Sequence, residues 1–229
     1  MSKKSLYHII LCLAFAGGLG AQDLISDAGL RLSVSAEKKL SSRFTVTAKV
    51  LTRQVENFSL LNRVYVRGGL KAKLTKNFMT ELRLYYMPTR KGYREMRDNF
   101  RYSLALVYKV KVNRRFTFSD RVAYQTTTNY LVSSPLLDEK LSGVIRNRYT
   151  LAYKLNRRSE PYIKEELLWQ VAGKKERYFG RNRVYLGYEY LLTDKLSLDA
   201  YFIYERGFNS NDGPQEQNFF YGLNLGFSF

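Results

Sequence analysis

Large apolar side chains alternate with small or polar ones to the very end of the chain. In the last eleven residues Phe219, Tyr221, Leu223, Leu225, Phe227 and Phe229 share one face of an extended strand, while Asn218, Gly222, Asn224, Gly226 and Ser228 share the other, because successive strand residues point to opposite sides. Phe220 is the exception, on the polar side. An apolar outer wall, a polar inner wall and a terminal aromatic are what a transmembrane β-barrel strand requires. The six apolar residues are read as the membrane-insertion signal presented to lipid and to the barrel-assembly machinery.

The same alternation recurs upstream in segments of about nine to thirteen residues, the length a tilted strand needs to cross a bilayer. It predicts strands over Ala28 to Lys39, Phe44 to Val50, Val64 to Leu74, Phe78 to Tyr86, Phe100 to Val110, Phe116 to Tyr124, Ile145 to Leu155, Ile163 to Val171, Val184 to Leu192, Leu196 to Tyr204 and the final segment. Asp120 and Glu165 break the rule, since their parity points them outward. Short links alternate with longer polar ones, as the short periplasmic turns and long outer loops of such barrels do. The fold class is therefore all-β: one antiparallel transmembrane barrel of about ten to twelve strands.

Aromatic residues test this independently, because Tyr and Trp favour both membrane interfaces. Outward Phe44, Phe78, Tyr108, Phe116, Tyr153, Tyr190 and Phe227 lie near short turns, and outward Tyr86, Tyr102, Tyr124, Tyr149, Trp169, Tyr204 and Tyr221 near long loops. The eleven segments nevertheless pose a parity problem. With both termini in the periplasm an antiparallel barrel needs an even number, so either the first segment does not span, or a twelfth is hidden, or the first and last strands pair in parallel.

Composition adds compartment and exclusions. Lys3 and Lys4 precede an apolar run from Ile9 to Leu19 ending in small residues, which reads as a secretory signal peptide over 1–21 with the barrel over 22–229. Export to a bacterial outer membrane follows. Cys12 and His8 are the only residues of their kinds and lie inside the cleaved segment. The mature chain thus offers no disulfide, thiol nucleophile, His-based metal site or histidine base, so no catalytic residue, metal or cofactor is expected. Net charge falls from +18 to +16 on removal of Lys3 and Lys4. In an exported chain whose cations alternate with apolar residues, this charge points to the barrel interior and not to nucleic acid.

Inside, Asn62-Arg63-Val64-Tyr65 returns unchanged as Asn182-Arg183-Val184-Tyr185, with shorter forms at Asn99-Phe100-Arg101-Tyr102 and Asn147-Arg148-Tyr149. The four arginines have inward parity where strands re-enter after outer loops, and Arg53, Arg67, Arg83, Arg121 and Arg146 add to them. Candidate anion-lining residues are Arg63, Arg67, Arg101, Arg146, Arg148 and Arg183, since a guanidinium fork binds carboxylate or phosphate and stays charged when enclosed. Two readings stand. Either the arginines form a constriction or site for small anionic solutes, or they pair with inward Glu81, Glu166, Glu189, Asp199 and Glu205 and fill the lumen.

The set Asn99-Phe100-Arg101-Tyr102, Arg146-Asn147-Arg148, Glu165-Glu166 and Arg181-Asn182-Arg183 followed by Gly187 and Tyr190, with an aromatic-rich last strand, resembles the outer-membrane barrels of domain-of-unknown-function family 2490. The resemblance implies compartment and fold, and carries no activity. Outer-membrane phospholipases, lipid A deacylases and omptin-like proteases have a similar size and architecture but rely on a histidine that the mature chain lacks. Glu165 and Glu166 point to opposite faces and cannot act as a dyad. Gly68-Gly69 lies within a strand, where a bulge or close backbone approach accounts for it better than a phosphate loop. Basic clusters at Arg90, Lys91, Arg94 and Arg97, and at Lys174, Lys175 and Arg177, mark outer loops able to meet lipopolysaccharide or a protein partner. The sequence thus supports a narrow passive channel or acidic-ligand binder with an Arg-lined lumen, or alternatively a closed structural or surface-interaction barrel.

Overall fold

The computed structural model describes residues 24–90, 95–128, 142–172, 178–208 and 215–229; the predicted signal peptide, Lys91 and Arg94 of the first basic loop cluster and all of the second lie outside them. Eleven strands follow in chain order: β1 (Leu24–Lys39), β2 (Phe44–Val55), β3 (Leu60–Lys73), β4 (Phe78–Tyr86), β5 (Phe100–Lys111), β6 (Phe116–Thr128), β7 (Ser142–Tyr153), β8 (Ser159–Ala172), β9 (Tyr178–Leu191), β10 (Leu196–Gly207) and β11 (Gln215–Ser228). They close into a single barrel.

Parallel pairing resolves the odd count. Neighbours along the chain pair antiparallel, but β1 and β11 run in the same direction, from Leu24 beside Gln215 to Glu37 beside Ser228. Leu24 therefore sits at the long-loop rim and Phe229 at the short-turn rim, so the premise that both ends share one rim does not hold for the described chain. One contact ties β1 to its other neighbour, and two hold the seam itself. The carboxylate of Asp27 accepts the backbone N–H groups of Glu56 and Asn57, at 3.1 and 3.0 Å, within a β2–β3 turn where Glu56, Asn57 and Phe58 all have positive φ. The Ser33 hydroxyl donates to Asn224 Oδ1 at 2.8 Å, and Asn224 Nδ2 donates to the Ser35 hydroxyl at 3.1 Å. Inward Phe220 is fully buried beneath the guanidinium groups of Arg31 and Arg53, which lie 4.2 and 4.4 Å from its ring centre. A Cβ on Gly29 would collide with that ring. The residue that breaks the alternation of the last strand is thus the plug of the seam.

The short turns share one device. Ser41, Thr75, Asn113 and Thr193 each accept the backbone N–H groups two and three residues onward, and Asn156 accepts that of Arg158 at 2.8 Å; these side chains imitate a backbone turn. On the long-loop side the strands run further than the alternation predicts, with β9 starting at Tyr178 where the pattern starts at Val184. Hairpins there continue past the apolar band, where nothing enforces alternation.

The outside is apolar and the inside polar, the reverse of a soluble domain. Leu82, Leu84, Leu104, Leu106 and Leu186 are exposed, while Glu81, Arg121, Gln125, Glu166 and Glu205 are buried. Aromatic pairs flank the apolar band, with Phe78–Tyr108 and Phe116–Tyr153 near short turns and Tyr86–Phe100 and Trp169–Phe179 near long loops. Tyr149 departs from its expected place. It pairs in register with Asp120 and Glu165 in mid-strand, so the two outward acids flank one tyrosine, and Glu165 accepts Asn182 Nδ2 at 3.4 Å. Gly68 and Gly69 sit in an unbroken ladder with Ala48 and Thr47; the bulge option fails, and Gly69 serves a close approach in which an added Cβ would meet Thr47 Oγ1.

Candidate functional site: an arginine-lined lumen

Inward parity on adjacent strands brings basic side chains from β1 to β9 around one cavity of about 460 Å³. Its lining holds ten arginines and two lysines against a single carboxylate, Asp199. Arg63, Arg67, Arg101, Arg146, Arg148 and Arg183, the six expected anion-lining residues, are all among them. They do not occupy one cross-strand row. Arg148 and Arg183 flank Glu166, Arg101 shares a row with Tyr85 and Arg67, and Arg63 faces Arg53. Arg121 falls outside the lining, buried against Glu81 at 3.0 Å.

Three glutamates account for the paired arginines. Glu166 receives Arg146 Nη2 at 2.5 Å, Arg183 Nη1 at 3.0 Å and the Tyr185 hydroxyl at 3.2 Å. Glu205 receives Arg183 Nε and, at 3.0 Å, Arg181 Nη1, with Arg31 and Arg53 at 3.9 and 4.0 Å. Glu81 binds Arg83 and Arg121. Glu166 and Glu205 have no exposed side-chain surface, whereas their arginines retain 12 to 33%. The carboxylates thus stand behind the guanidinium groups and leave the cationic surface toward the cavity.

The filled-lumen reading is therefore met in part. Glu81, Glu166 and Glu205 pair as it requires. Glu189 and Asp199 take no arginine among the described residues, and Asp199 instead accepts the Tyr162 hydroxyl at 2.7 Å. Arg63, Arg67 and Arg101 on the other side of the lumen, and Arg148 in register beside Glu166, have no carboxylate within ion-pair distance among the described residues. Arg63 donates to the Tyr65 hydroxyl at 3.0 Å and Arg101 to Thr127 Oγ1 at 3.0 Å.

Sequence reasoning did not count Lys49, Lys164, Arg31 and Arg181 among the candidate lining residues, nor the tyrosines Tyr65, Tyr85, Tyr162, Tyr185 and Tyr201 that share the lining, although Arg181, Tyr65 and Tyr185 stand in its motifs. Parity alone places them inward. Nothing local distinguishes a tyrosine that bonds an arginine from one that fills space. Two rings do the latter over glycines: a Cβ on Gly187 would collide with Tyr162, and one on Gly222 with Tyr201. Glu165 and Glu166 lie on opposite walls, as a strand dictates.

No curated protein matches the chain. Among solved structures it is similar to one described as the NanC porin in a rhombohedral crystal form, with 12% identity and a TM-score of 0.50 over 78% of this chain and 85% of that one. At that identity the likeness concerns the fold. A family profile described as "protein of unknown function (DUF2490)" matches residues 29–217, most of the chain and ten of its strands in full or nearly so, and the protein therefore belongs to that family.

Proposed function

We propose that the protein is an outer-membrane barrel acting as a narrow, passive channel that favours anions, with small anionic solutes as its cargo. The observation that carries this is the composition of the lumen wall, twelve cationic side chains against one carboxylate, with Glu166 and Glu205 buried behind the arginines they bind. A ring of fixed charge in a low-dielectric wall concentrates ions of opposite sign and sets selectivity. The porin-like fold, the apolar belt and the aromatic girdles support the location, and export through a signal peptide over 1–21 belongs to the same reading. The lack of Cys and His over 22–229 supports transport or binding over catalysis.

Purified mature protein in a planar bilayer under a salt gradient tests this directly. The expected result is a reversal potential favouring the anion, shifting toward zero in an Arg63, Arg101 and Arg148 alanine variant, whose residues lack buried carboxylate partners. Absence of current would overturn the channel and favour a closed barrel working through its outer loops, on lipopolysaccharide or a protein partner.

A further inference from the structure

The lumen has two unlike walls. Around β7 to β11, β1 and β2, Glu166 and Glu205 gather Arg31, Arg53, Arg146, Arg181 and Arg183 into ion pairs. Across from them, β3 to β5 carry Arg63, Arg67 and Arg101, for which the only partners among described residues are uncharged. The Nε atoms of Arg63 and Arg67 are enclosed and have no acceptor, as are those of Arg31, Arg53 and Arg146 on the paired wall, so the missing carboxylate partner is what sets this wall apart. An enclosed guanidinium group with an unmatched N–H is costly, and Arg63, Arg67 and Arg101 repel one another on a wall whose one buried carboxylate among the described residues, Glu81, is already taken by Arg83 and Arg121.

Geometry says what would satisfy them. Arg67 and Arg101 both pair in register with Tyr85, so their Cα atoms lie roughly 10 Å apart across two strand spacings. Arg63 and Arg67 are four residues apart on β3, roughly 13 Å. Long flexible stems can converge on one solute over that span, but a single monovalent ion cannot neutralise three fixed charges. Tyr65 and Tyr85 stand between them, with Arg63 5.6 Å from the ring centre of Tyr65 and Arg101 6.0 Å from that of Tyr85. Each ring holds an arginine by its face, and each hydroxyl offers a further donor to a bound oxygen.

We propose that Arg63, Arg67 and Arg101, with the hydroxyls of Tyr65 and Tyr85, form a binding site for a multivalent oxyanion, a solute bearing two or more phosphate or carboxylate groups. This rests on the lumen being reached by water and solutes, as the channel reading holds, but it adds residence at one wall to passage through the middle. Guanidinium forks bind either group in bidentate fashion, so the wall selects by charge number and span.

Calorimetric titration of the purified mature protein in detergent with pyrophosphate, and separately with citrate, tests the site and distinguishes phosphate from carboxylate. Saturable one-to-one binding of at least one probe is expected, weakened by about tenfold or more in an Arg63→Ala, Arg67→Ala double variant. It should weaken less when the same positions are lysine, which keeps charge and removes the fork, and remain unchanged in Arg43→Ala on the short-turn rim. Absence of saturable binding by either probe overturns the site, as does equal affinity in the alanine variant. If that variant fails to show the β-sheet circular dichroism of the parent, the lysine variant decides alone, and unchanged affinity there is equally fatal. Current without saturable binding sinks this site and leaves the channel standing; binding without current does the opposite.

Discussion

Asn62-Arg63-Val64-Tyr65 and Asn182-Arg183-Val184-Tyr185 are the same four residues in the same order on strands of the same direction, yet they do different work. In the second copy Arg183 bridges Glu166 and Glu205, and Tyr185 donates to the same Glu166. In the first copy Arg63 finds the hydroxyl of its own Tyr65 and no carboxylate. Local sequence fixes only that both arginines point inward. What each becomes depends on residues remote in the chain and brought beside it by strand register: Glu205 opposite Arg183, but Arg53 opposite Arg63. One copy is part of the frame and the other is left available.

The largest expected effect separates frame from free wall. Glu205→Gln should destabilise the barrel by about 3 kcal/mol, because removing one member of a buried ion-pair group leaves the others enclosed and unbalanced. Four arginines lie within ion-pair distance of that carboxylate. Arg63→Ala should cost no more than about 0.5 kcal/mol, since it removes an unpaired charge from a repulsive cluster. Urea unfolding of protein in lipid vesicles, followed by the fluorescence of Trp169, the only tryptophan, gives both values. Equal losses would show that the two walls are energetically alike and that the contrast between the copies has no consequence.

A second change should convert the free wall into a copy of the frame. Tyr85 stands in register between Arg67 and Arg101, the place that Glu166 holds between Arg148 and Arg183. Tyr85→Glu supplies the missing counter-charge there. The anion-to-cation permeability ratio in a planar bilayer should fall by a factor of about two or more, since one carboxylate placed between two unpaired cations offsets one of their charges and draws both away from a passing anion. An unchanged ratio would mean that the free arginines do not set the field of the lumen.

These experiments also mark where the sequence stopped being legible. Period-two alternation located all eleven strands and the six candidate lining arginines, because lipid outside and water inside impose the same rule on each strand independently. Long-loop ends were legible only to the edge of the apolar band. The pairing of Glu166 and Glu205 was readable as a set and not as partners, because it needs cross-strand register, and three register shifts, at Arg53/Gln54, Gly143/Val144 and Leu168/Trp169, upset any count made from the turns. The odd segment count offered parallel closure as one of three options but could not choose it. A parallel seam leaves no mark on either strand alone, and the one local clue was Phe220 on the wrong face.

That clue supports the smallest of the predicted effects. Phe220 is buried beneath Arg31 and Arg53, and both guanidinium groups also lie near Glu205. The ring therefore belongs to the frame, and it holds two like charges side by side through its negative face. Phe220→Leu retains most of the apolar volume against Gly29 but removes that face. The expected loss is about 1 kcal/mol, the scale of a cation–π contact away from full solvent, and in a Glu205→Gln background it should change by more than about 0.5 kcal/mol, because groups sharing partners do not act additively. A double-mutant cycle by urea unfolding measures this. Strict additivity would mean that the seam and the carboxylate hold Arg31 and Arg53 independently, and the frame would then be two structures, one closing the barrel and the other lining it.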